Sequence, residues 1–275
     1  MKTLQDKVVV ITGAGSGIGR ATAIRCAGLG ARLALSDIDA AGLEETAGRC
    51  AGSVHTTKVD VGARDEIYAW AERVKRDVGP ADVLINNAGV SLSQTIAEMR
   101  DEDFEWLMNI NFWGVTHGTK AFLPQLLARP EAHVVNLSSV FGIIAVPTQA
   151  AYNASKFAVR GYTEALRQEL RATKVRVTCV HPGGIKTNIV KNGRHFADPS
   201  GKAADLDTMA RDFEREARTT ADEAGRQIVD AILRERPRLL IGLDAVIIDR
   251  MQRMFPESYD KVIAKFLGLR ARRSD

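Results

Sequence analysis

The chain has 275 residues, 45% of them hydrophobic and 26% charged, a composition typical of an ordinary globular protein. Ten Lys and Arg against six Asp and Glu between residues 234 and 275 carry the whole net charge of +4; no basic face interleaved with aromatic residues indicates a nucleic-acid partner. The three cysteines are scattered and lack metal-ligand spacing, which predicts no metal site. The sequence shows no signal peptide and no run near the ~20 apolar residues of a membrane span, which predicts a cytoplasmic protein.

Short β-branched apolar runs alternate with stretches of helical periodicity along most of the chain. The predicted strands are 8–11, 32–36, 54–59, 83–85, 134–137, 175–180 and 239–241. The predicted helices are 18–29, 40–50, 63–78, one within 101–127, 151–172 and 222–234. This alternation predicts an α/β protein: a Rossmann-type, doubly wound parallel sheet of about seven strands in a single domain. Because the strands are continuously apolar, helices are expected on both faces.

A glycine-rich turn follows the first strand and opens the first helix. Gly13, Gly17 and Gly19 fit the pattern TGxxxGxG, with Ser16 and Ile18 between them. Glycines let the backbone approach a pyrophosphate, whose charge is stabilised at the positive N-terminus of the helix. A turn of this kind can also be a purely structural connection. The strand before it and the acid after it are what favour a cofactor site.

That acid is Asp37, which ends the second strand eighteen residues after Gly19. A carboxylate at this position can bind both hydroxyls of an adenosine ribose while repelling a 2′-phosphate. The alternative role is an N-cap of the next helix, which we assign to Asp39. Because Ser16 and Ile38 stand where NADP binding favours a basic residue, the sequence favours NAD over NADP.

Tyr152 and Lys156 are four residues apart, a spacing that places both on one face of a helix, and Ser139 precedes Tyr152 by thirteen residues. Among the four tyrosines, only Tyr152 has a lysine at this spacing. A phenol, an ammonium and a hydroxyl can together move a proton on and off an alcohol oxygen. A tyrosine has a pKa near ~10, and the ammonium, with an oxidised nicotinamide, is expected to lower it.

Six motifs occur in a fixed order, and together they closely resemble the short-chain dehydrogenase/reductase family in its compact form. They are TGxxxGxG, Asn-Asn-Ala-Gly at 86–89, Asn-Phe-Trp-Gly at 111–114, Asn-Leu-Ser-Ser at 136–139, the Tyr152–Lys156 pair, and Pro182-Gly183. The resemblance covers roughly residues 5 to 243. It implies a hydride transfer between a nicotinamide cofactor and a secondary alcohol or ketone.

The resemblance also implies a role for each matching position. Tyr152 would be the general acid/base, Lys156 its activator and a ribose ligand, Ser139 the hydroxyl that polarises the substrate oxygen, and Asn111 the holder of a relay water. The implied cofactor ligands are Gly13, Ser16, Gly17, Ile18, Gly19, Asp37, Asp60, Val61, Asn87, Ala88, Gly89, Tyr152, Lys156, Pro182, Gly183, Ile185 and Thr187. Asp60 would contact the adenine, residues 87–89 the adenosine side, and residues 182–187 the nicotinamide.

Several of these roles have structural alternatives. Ser138 could replace Ser139, Asn111 could bridge backbone within its helix, and Thr187 could cap a helix. His181 and His195 are interpreted as structural or solvated. Two other functions also stay open: an NADPH-dependent ketoacyl or ketone reductase, and a non-catalytic NAD-sensing protein.

The substrate is predicted to be an apolar small molecule, because the residues at 140–147, with Trp113 and Phe196, are expected around the reacting carbon. Lys186, Lys191 and Arg194 could attract an acidic head group, although a solvated loop is the simpler interpretation. The resemblance also implies a homodimer or homotetramer that pairs through helices 101–127 and 151–172.

We divide the chain into an NAD-binding catalytic domain at 1–243 and a basic amphipathic extension at 244–275. Within the domain, residues 188–220 have the weakest pattern and are predicted to be a mobile substrate loop. In the extension, apolar and basic residues recur at helical spacing around Pro256. It is interpreted as a flap over the substrate pocket or a subunit contact, or alternatively as a peripheral membrane anchor.

Overall fold

A computed structural model describes residues 1–197, 202–203 and 205–266 of the chain. Its centre is one seven-stranded, entirely parallel sheet in the order β7-β6-β5-β4-β1-β2-β3. The strands are β1 Val8–Thr12, β2 Arg32–Asp37, β3 Val54–Lys58, β4 Val83–Asn86, β5 Ala132–Leu137, β6 Val175–Pro182 and β7 Arg238–Ile241. The predicted Rossmann-type fold is confirmed, with each predicted strand present to within about two residues.

Helices cover both faces of this sheet. They are α1 Gly17–Ala27, α2 Ala40–Arg49, α3 Arg64–Asp77, α4 Asp101–Met108, α5 Gly114–Leu127, α6 Ala150–Glu169, α7 Leu206–Glu216, α8 Ala221–Leu233, α9 Leu243–Met254 and α10 Tyr259–Phe266. A π-helical turn, Asn109–Trp113, joins α4 to α5, so the long helix predicted within 101–127 is continuous but locally widened.

Two hydrophobic cores result from the alternation of side chains along the strands. One face of β1, with Val9 and Ile11, packs with α1 and α8. The opposite face, with Val8 and Val10, packs with α3, α5 and α6 around the fully buried Trp70. Burial on both sides explains why the central strands consist almost wholly of apolar residues.

Two segments differ from the sequence prediction. Strand β3 is half exposed and polar, with residues such as His55 and Lys58, because it lies at the edge of the sheet. The predicted irregular loop at 188–220 contains α7, and Arg194–His195 within it pairs in parallel with Leu92–Ser93. Residues 198–201 and 204 of this predicted loop lie outside the described residues.

The C-terminal extension is helical, as predicted, over α9 and α10. Asp249 on α9 accepts a bidentate pair of hydrogen bonds from Arg238 on β7, at 3.0 and 2.6 Å, which attaches the extension to the sheet. The backbone N–H of Ala145 donates to the hydroxyl of Tyr259 at 3.2 Å. Residues 267–275 of the predicted extension lie outside the described residues. No helix in the described part of the chain is both long and apolar enough to cross a bilayer.

Candidate active site

The predicted site residues converge at one edge of the sheet, because the carboxyl ends of parallel strands all lie on the same side. The glycine turn follows β1, and Asp37 ends β2. Residues 87–89 follow β4, Ser139 follows β5, and the turn at 182–187 includes the end of β6 and what comes after it.

The glycine turn is compact and leaves the start of α1 open to an anion. Gly13 has φ 66° and Gly17 φ 52°, conformations that favour glycine. A Cβ on Gly13 would lie 2.7 Å from the Cα of Ala88, so the turn packs directly on the segment after β4. Ser16 occupies the N-cap position without a side-chain capping bond, and no acid stands in the first turn of α1. These features fit a pyrophosphate at the helix N-terminus.

Thr12 and Asn87 connect this turn to the end of β4. The hydroxyl of Thr12 accepts hydrogen bonds from the backbone N–H groups of Asn87 and Ala88, both at 3.1 Å. The amide of Asn87 donates to the carbonyls of Thr12 and Gly13 at 3.0 and 2.9 Å. The side chain of Asn87 therefore stabilises the turn itself. Thr12, which opens the TGxxxGxG pattern, is not among the predicted site residues.

Two acidic residues, Asp37 at the end of β2 and Asp60 just after β3, accept hydrogen bonds from loop backbone. One oxygen of Asp37 accepts from the backbone N–H of Gly15 at 2.8 Å and the other from that of Asp39 at 3.0 Å. Asp39 occupies the N-cap position of α2, but its side chain makes no capping bond, so the side-chain cap assigned to it is absent. Asp60 accepts from the N–H of Gly62 at 2.8 Å, and the neighbouring Val61 is buried.

Tyr152 and Ser139 lie together in a buried place. Burial raises the pKa of Tyr152 to about 12, and the neighbouring Ser139 hydroxyl acts in the opposite direction. The Ser139 oxygen also accepts from the N–H of Phe141 at 3.1 Å. The hydroxyl of Ser138 donates instead to the carbonyl of Lys156 at 2.8 Å, which leaves Ser139 as the hydroxyl at the phenol.

Lys156 is buried with its ammonium nitrogen 5.6 Å from the centroid of the Tyr152 ring. The nitrogen donates to the carbonyl of Leu137 at 3.1 Å. Burial lowers the pKa of Lys156 to about 8. For Tyr152, desolvation of the phenolate outweighs the opposing hydrogen bond with Ser139, so the pKa is raised. The lowering expected from Lys156 together with an oxidised nicotinamide stays a prediction.

Asn111 is the centre of the π-helical turn, and both ends of its amide are engaged. Its oxygen accepts from the N–H of Val90 at 2.8 Å, and its nitrogen donates to the carbonyl of Val90 at 2.9 Å and to Ser155 at 3.2 Å. A Cβ on Gly89 would lie 3.2 Å from the Asn111 oxygen and 3.4 Å from the Lys156 ammonium, so these residues border one space. The side chain thus bridges backbone, which was the structural alternative for this residue.

An apolar cluster surrounds Tyr152. Phe141 meets the phenol ring edge-on at a centroid distance of 6.0 Å. The remaining members, several of which sequence analysis missed, are Leu92, Leu107, Ala151, Val90, Met99, Trp106 and Ile189. Trp113 is not in this cluster but stacks on His117, and Phe196 packs against Arg100.

A model of the family described as short chain dehydrogenase matches residues 7–198. The chain belongs to the short-chain dehydrogenase family. It is 43% identical to SadH of Mycobacterium tuberculosis over 270 residues, 96% of each chain, and 32% identical to estradiol 17-beta-dehydrogenase 11 of Homo sapiens over 98% of this chain and 86% of that protein. A solved short chain dehydrogenase/reductase from Burkholderia phymatum in complex with NAD aligns at TM-score 0.86 and 32% identity, covering 94% and 97% of the two chains.

In this short-chain dehydrogenase, the turn at Pro182–Thr187 extends from the end of β6 to the glycine turn. Ile185 is buried and pairs with Thr219, and a Cβ on Gly17 would lie 3.1 Å from the Thr187 methyl group. Thr187 therefore contacts the glycine turn. It does not cap a helix, because turns follow it within the described residues.

The basic residues of the following segment have different surroundings. Arg194 is paired with the buried Asp103 at 2.7 Å and lies 4.0 Å above the ring of Trp106, a structural arrangement. Lys186 and Lys191 line a cavity of about 320 Å³ between α1 and α7. The pairing of Arg194 with Asp103 was not predictable from the sequence, because the two residues are 91 positions apart.

Proposed function

We propose that this short-chain dehydrogenase interconverts an apolar secondary alcohol and its ketone, with NAD as hydride carrier and Tyr152 as general acid/base. The proposal rests on one observation above all: the phenol of Tyr152 is buried beside the Ser139 hydroxyl, with the Lys156 ammonium 5.6 Å from its ring. The bound cofactor would accept or deliver the hydride.

In alcohol oxidation, the phenolate form of Tyr152 takes the hydroxyl proton of the substrate and becomes the neutral phenol, while Ser139 holds the same oxygen by a hydrogen bond. In ketone reduction, the protonated phenol donates its proton back. Because burial raises the pKa of Tyr152 to about 12, the phenol rests in its protonated form. The ammonium of Lys156 and the positive charge of an oxidised nicotinamide both favour the phenolate.

Asn111 contributes through its backbone in this proposal. Both ends of its side-chain amide are already bound to Val90 and Ser155. A water that relays protons from Lys156 would therefore be held by the backbone carbonyl of Asn111, within the π-helical turn. Such turns are frequent at functional sites in helices.

Asp37 supports NAD as the cofactor, because its carboxylate ends β2 beside the glycine turn, where it would bind a ribose and repel a 2′-phosphate. The solved relative from Burkholderia phymatum is in complex with NAD. An NADPH-dependent reductase remains the alternative within enzymes. A non-catalytic NAD-sensing role is disfavoured, since Ser139, Tyr152 and Lys156 are all present and adjacent.

An apolar substrate is supported by the cluster around Tyr152, which presents carbon atoms toward the phenol. Estradiol 17-beta-dehydrogenase 11 of Homo sapiens is named for an apolar alcohol. We infer a substrate with a secondary hydroxyl or keto group on a largely hydrocarbon frame, with Phe141 and Ile189 among its contacts.

For the whole chain, we propose a cytoplasmic homodimer or homotetramer, with a catalytic domain at 1–243 and a separate extension at 244–275. The bond from Ala145 to Tyr259 supports the extension as a flap over the segment that follows Ser139. The outer face of α9 remains available for a subunit contact or an anionic membrane surface, the two other interpretations of the extension.

Replacing Tyr152 by Phe tests the chemistry. Turnover of secondary alcohols should fall by at least about 1,000-fold, since the proton acceptor is lost, while NADH affinity stays within about 3-fold. The measurement is a panel of secondary alcohols and ketones assayed with NAD(H) and NADP(H), beside a fluorescence titration of NADH.

The matched control is Tyr162→Phe, which makes the same change on the same helix where the ring packs on Phe112. This variant should keep turnover within about 3-fold. Turnover at the normal rate in Tyr152→Phe would show that Tyr152 is not the acid/base, and no turnover by the unmodified protein across the panel would favour the sensing role.

A further inference from the structure

Asp244, in the first turn of α9, contacts the turn that follows β6. Its Oδ2 accepts a hydrogen bond of 2.7 Å from the backbone N–H of Gly184. The neighbouring N–H of Gly183 donates to the carbonyl of Ile241 on β7 at 2.9 Å. Two successive N–H groups of this turn therefore have partners, one in the sheet and one in the extension. Ionised acceptors make short and comparatively strong hydrogen bonds.

Glycines leave the space that this carboxylate occupies. The three heavy atoms nearest to a Cβ on Gly183 all belong to the Asp244 carboxyl group, which that Cβ would overlap. A Cβ on Gly242 would also overlap the carboxyl group, and Gly242 has φ 98°. Gly183 is not in the left-handed region, so its backbone would accept alanine. A side chain at position 183 would therefore displace the Asp244 carboxylate.

We propose that Asp244 is a positioning residue that fixes the Pro182–Gly184 turn for the cofactor, which makes the C-terminal extension part of the cofactor site. This inference rests on the proposed function, because it takes that turn as the nicotinamide contact. Asp244 stands in the first turn of α9, close to the N-terminal backbone of that helix.

The experiment compares Asp244→Ala, which removes the acceptor, with Asp244→Asn, which keeps an acceptor oxygen and the size. Asp244→Ala should raise the Kd of NADH and the KM of NAD about 5- to 10-fold, with a smaller change in kcat, because a charge-assisted bond is lost at an exposed position. Asp244→Asn should stay within about 3-fold. Asp260→Ala removes an equal charge from the extension and should match the unmodified protein.

A second variant separates positioning from general stability. Gly183→Ala should weaken NADH binding in the unmodified protein, because its methyl group displaces the carboxylate. In the Asp244→Ala background, the same change should cost no more than about 2-fold further. Unaltered NADH affinity in Asp244→Ala, or equal losses from Gly183→Ala in both backgrounds, would overturn the proposal.

These outcomes differ from a failure of the proposed function. Tyr152→Phe with normal turnover would refute the acid/base assignment, while the effect of Asp244 on NADH affinity would still stand. An unmodified protein that binds no NADH would refute the cofactor assignment and the role of Asp244 together.

Discussion

At the scale of single residues, burial sets the charges of the candidate catalytic pair. It raises the pKa of Tyr152 to about 12 and lowers that of Lys156 to about 8, in both cases by disfavouring the ionised form. Burial therefore favours the neutral form of both side chains, unless a nearby charge stabilises the ionised form. Under the proposed function, the positive charge of an oxidised nicotinamide would favour the phenolate form of Tyr152.

Asp37 allows a prediction about cofactor choice. Asp37→Asn should raise the ratio of kcat/KM for NADP to that for NAD by about 10-fold or more, because a negative charge beside a 2′-phosphate is repulsive by a few kcal/mol at an intermediate dielectric. The measurement is the pair of kcat/KM values on one alcohol.

Asp39→Asn is the matched control, since Asp39 is two residues away and makes no side-chain capping bond. Its ratio should stay within about 2-fold of that of the unmodified protein. An unchanged ratio in Asp37→Asn would mean that the carboxylate serves only the backbone groups of Gly15 and Asp39, to which it is bound.

At the scale of elements, the segment that follows Ser139, residues 140–145, contacts parts of the chain that are distant in sequence. The 3-10 turn Val140–Gly142 packs against α9, and Arg194–His195 pairs with Leu92–Ser93. Tyr259, the first residue of α10, accepts a hydrogen bond from the backbone N–H of Ala145 in the same segment. If the extension is a flap, as proposed, this contact should influence which substrates fit beside Tyr152.

Tyr259→Phe tests this influence. Loss of the hydroxyl that accepts from Ala145 should raise KM for the apolar substrate about 2- to 5-fold, in line with one neutral hydrogen bond at an exposed position, and should leave NADH affinity unchanged. Steady-state kinetics on substrates of increasing length provide the measurement. Tyr68→Phe, the same change on α3, serves as the control. Equal KM values for both variants and the unmodified protein would exclude the flap.

At the scale of the whole molecule, the strand ends and motifs were predictable because local pattern determines them. The apolar runs placed all seven strands to within about two residues, and the spacing from Ser139 to Lys156 placed three side chains in one region. Contacts between distant segments were not predictable. Asp244 reaches Gly184 across 60 residues, and Arg194 reaches Asp103 across 91, pairings for which a single sequence carries no signal. The helix α7 was missed because most of its residues are polar and exposed.

Two exposed apolar surfaces, one on α4 and α6 and one on α9, have no role in the proposed reaction. They support a prediction about subunit assembly. Phe104 on α4 and Phe157 on α6 are 36% and 42% exposed, on the helices expected to pair subunits. Phe157→Glu should shift the protein toward monomers in sedimentation velocity, since a charge at the centre of an apolar interface lacks a partner.

Ile247→Glu on α9 is the matched variant for the extension, where Ile247 and Met254 are 56% and 70% exposed beside Arg250. If Ile247→Glu leaves assembly intact but lowers co-sedimentation with anionic vesicles, α9 is a membrane-binding surface. Apolar residues flanked by basic ones insert at the interface of an anionic membrane. Dissociation by Ile247→Glu would identify a subunit contact instead. Unaltered assembly in Phe157→Glu would place the subunit interface away from α6, and the extension would then be the next surface to examine.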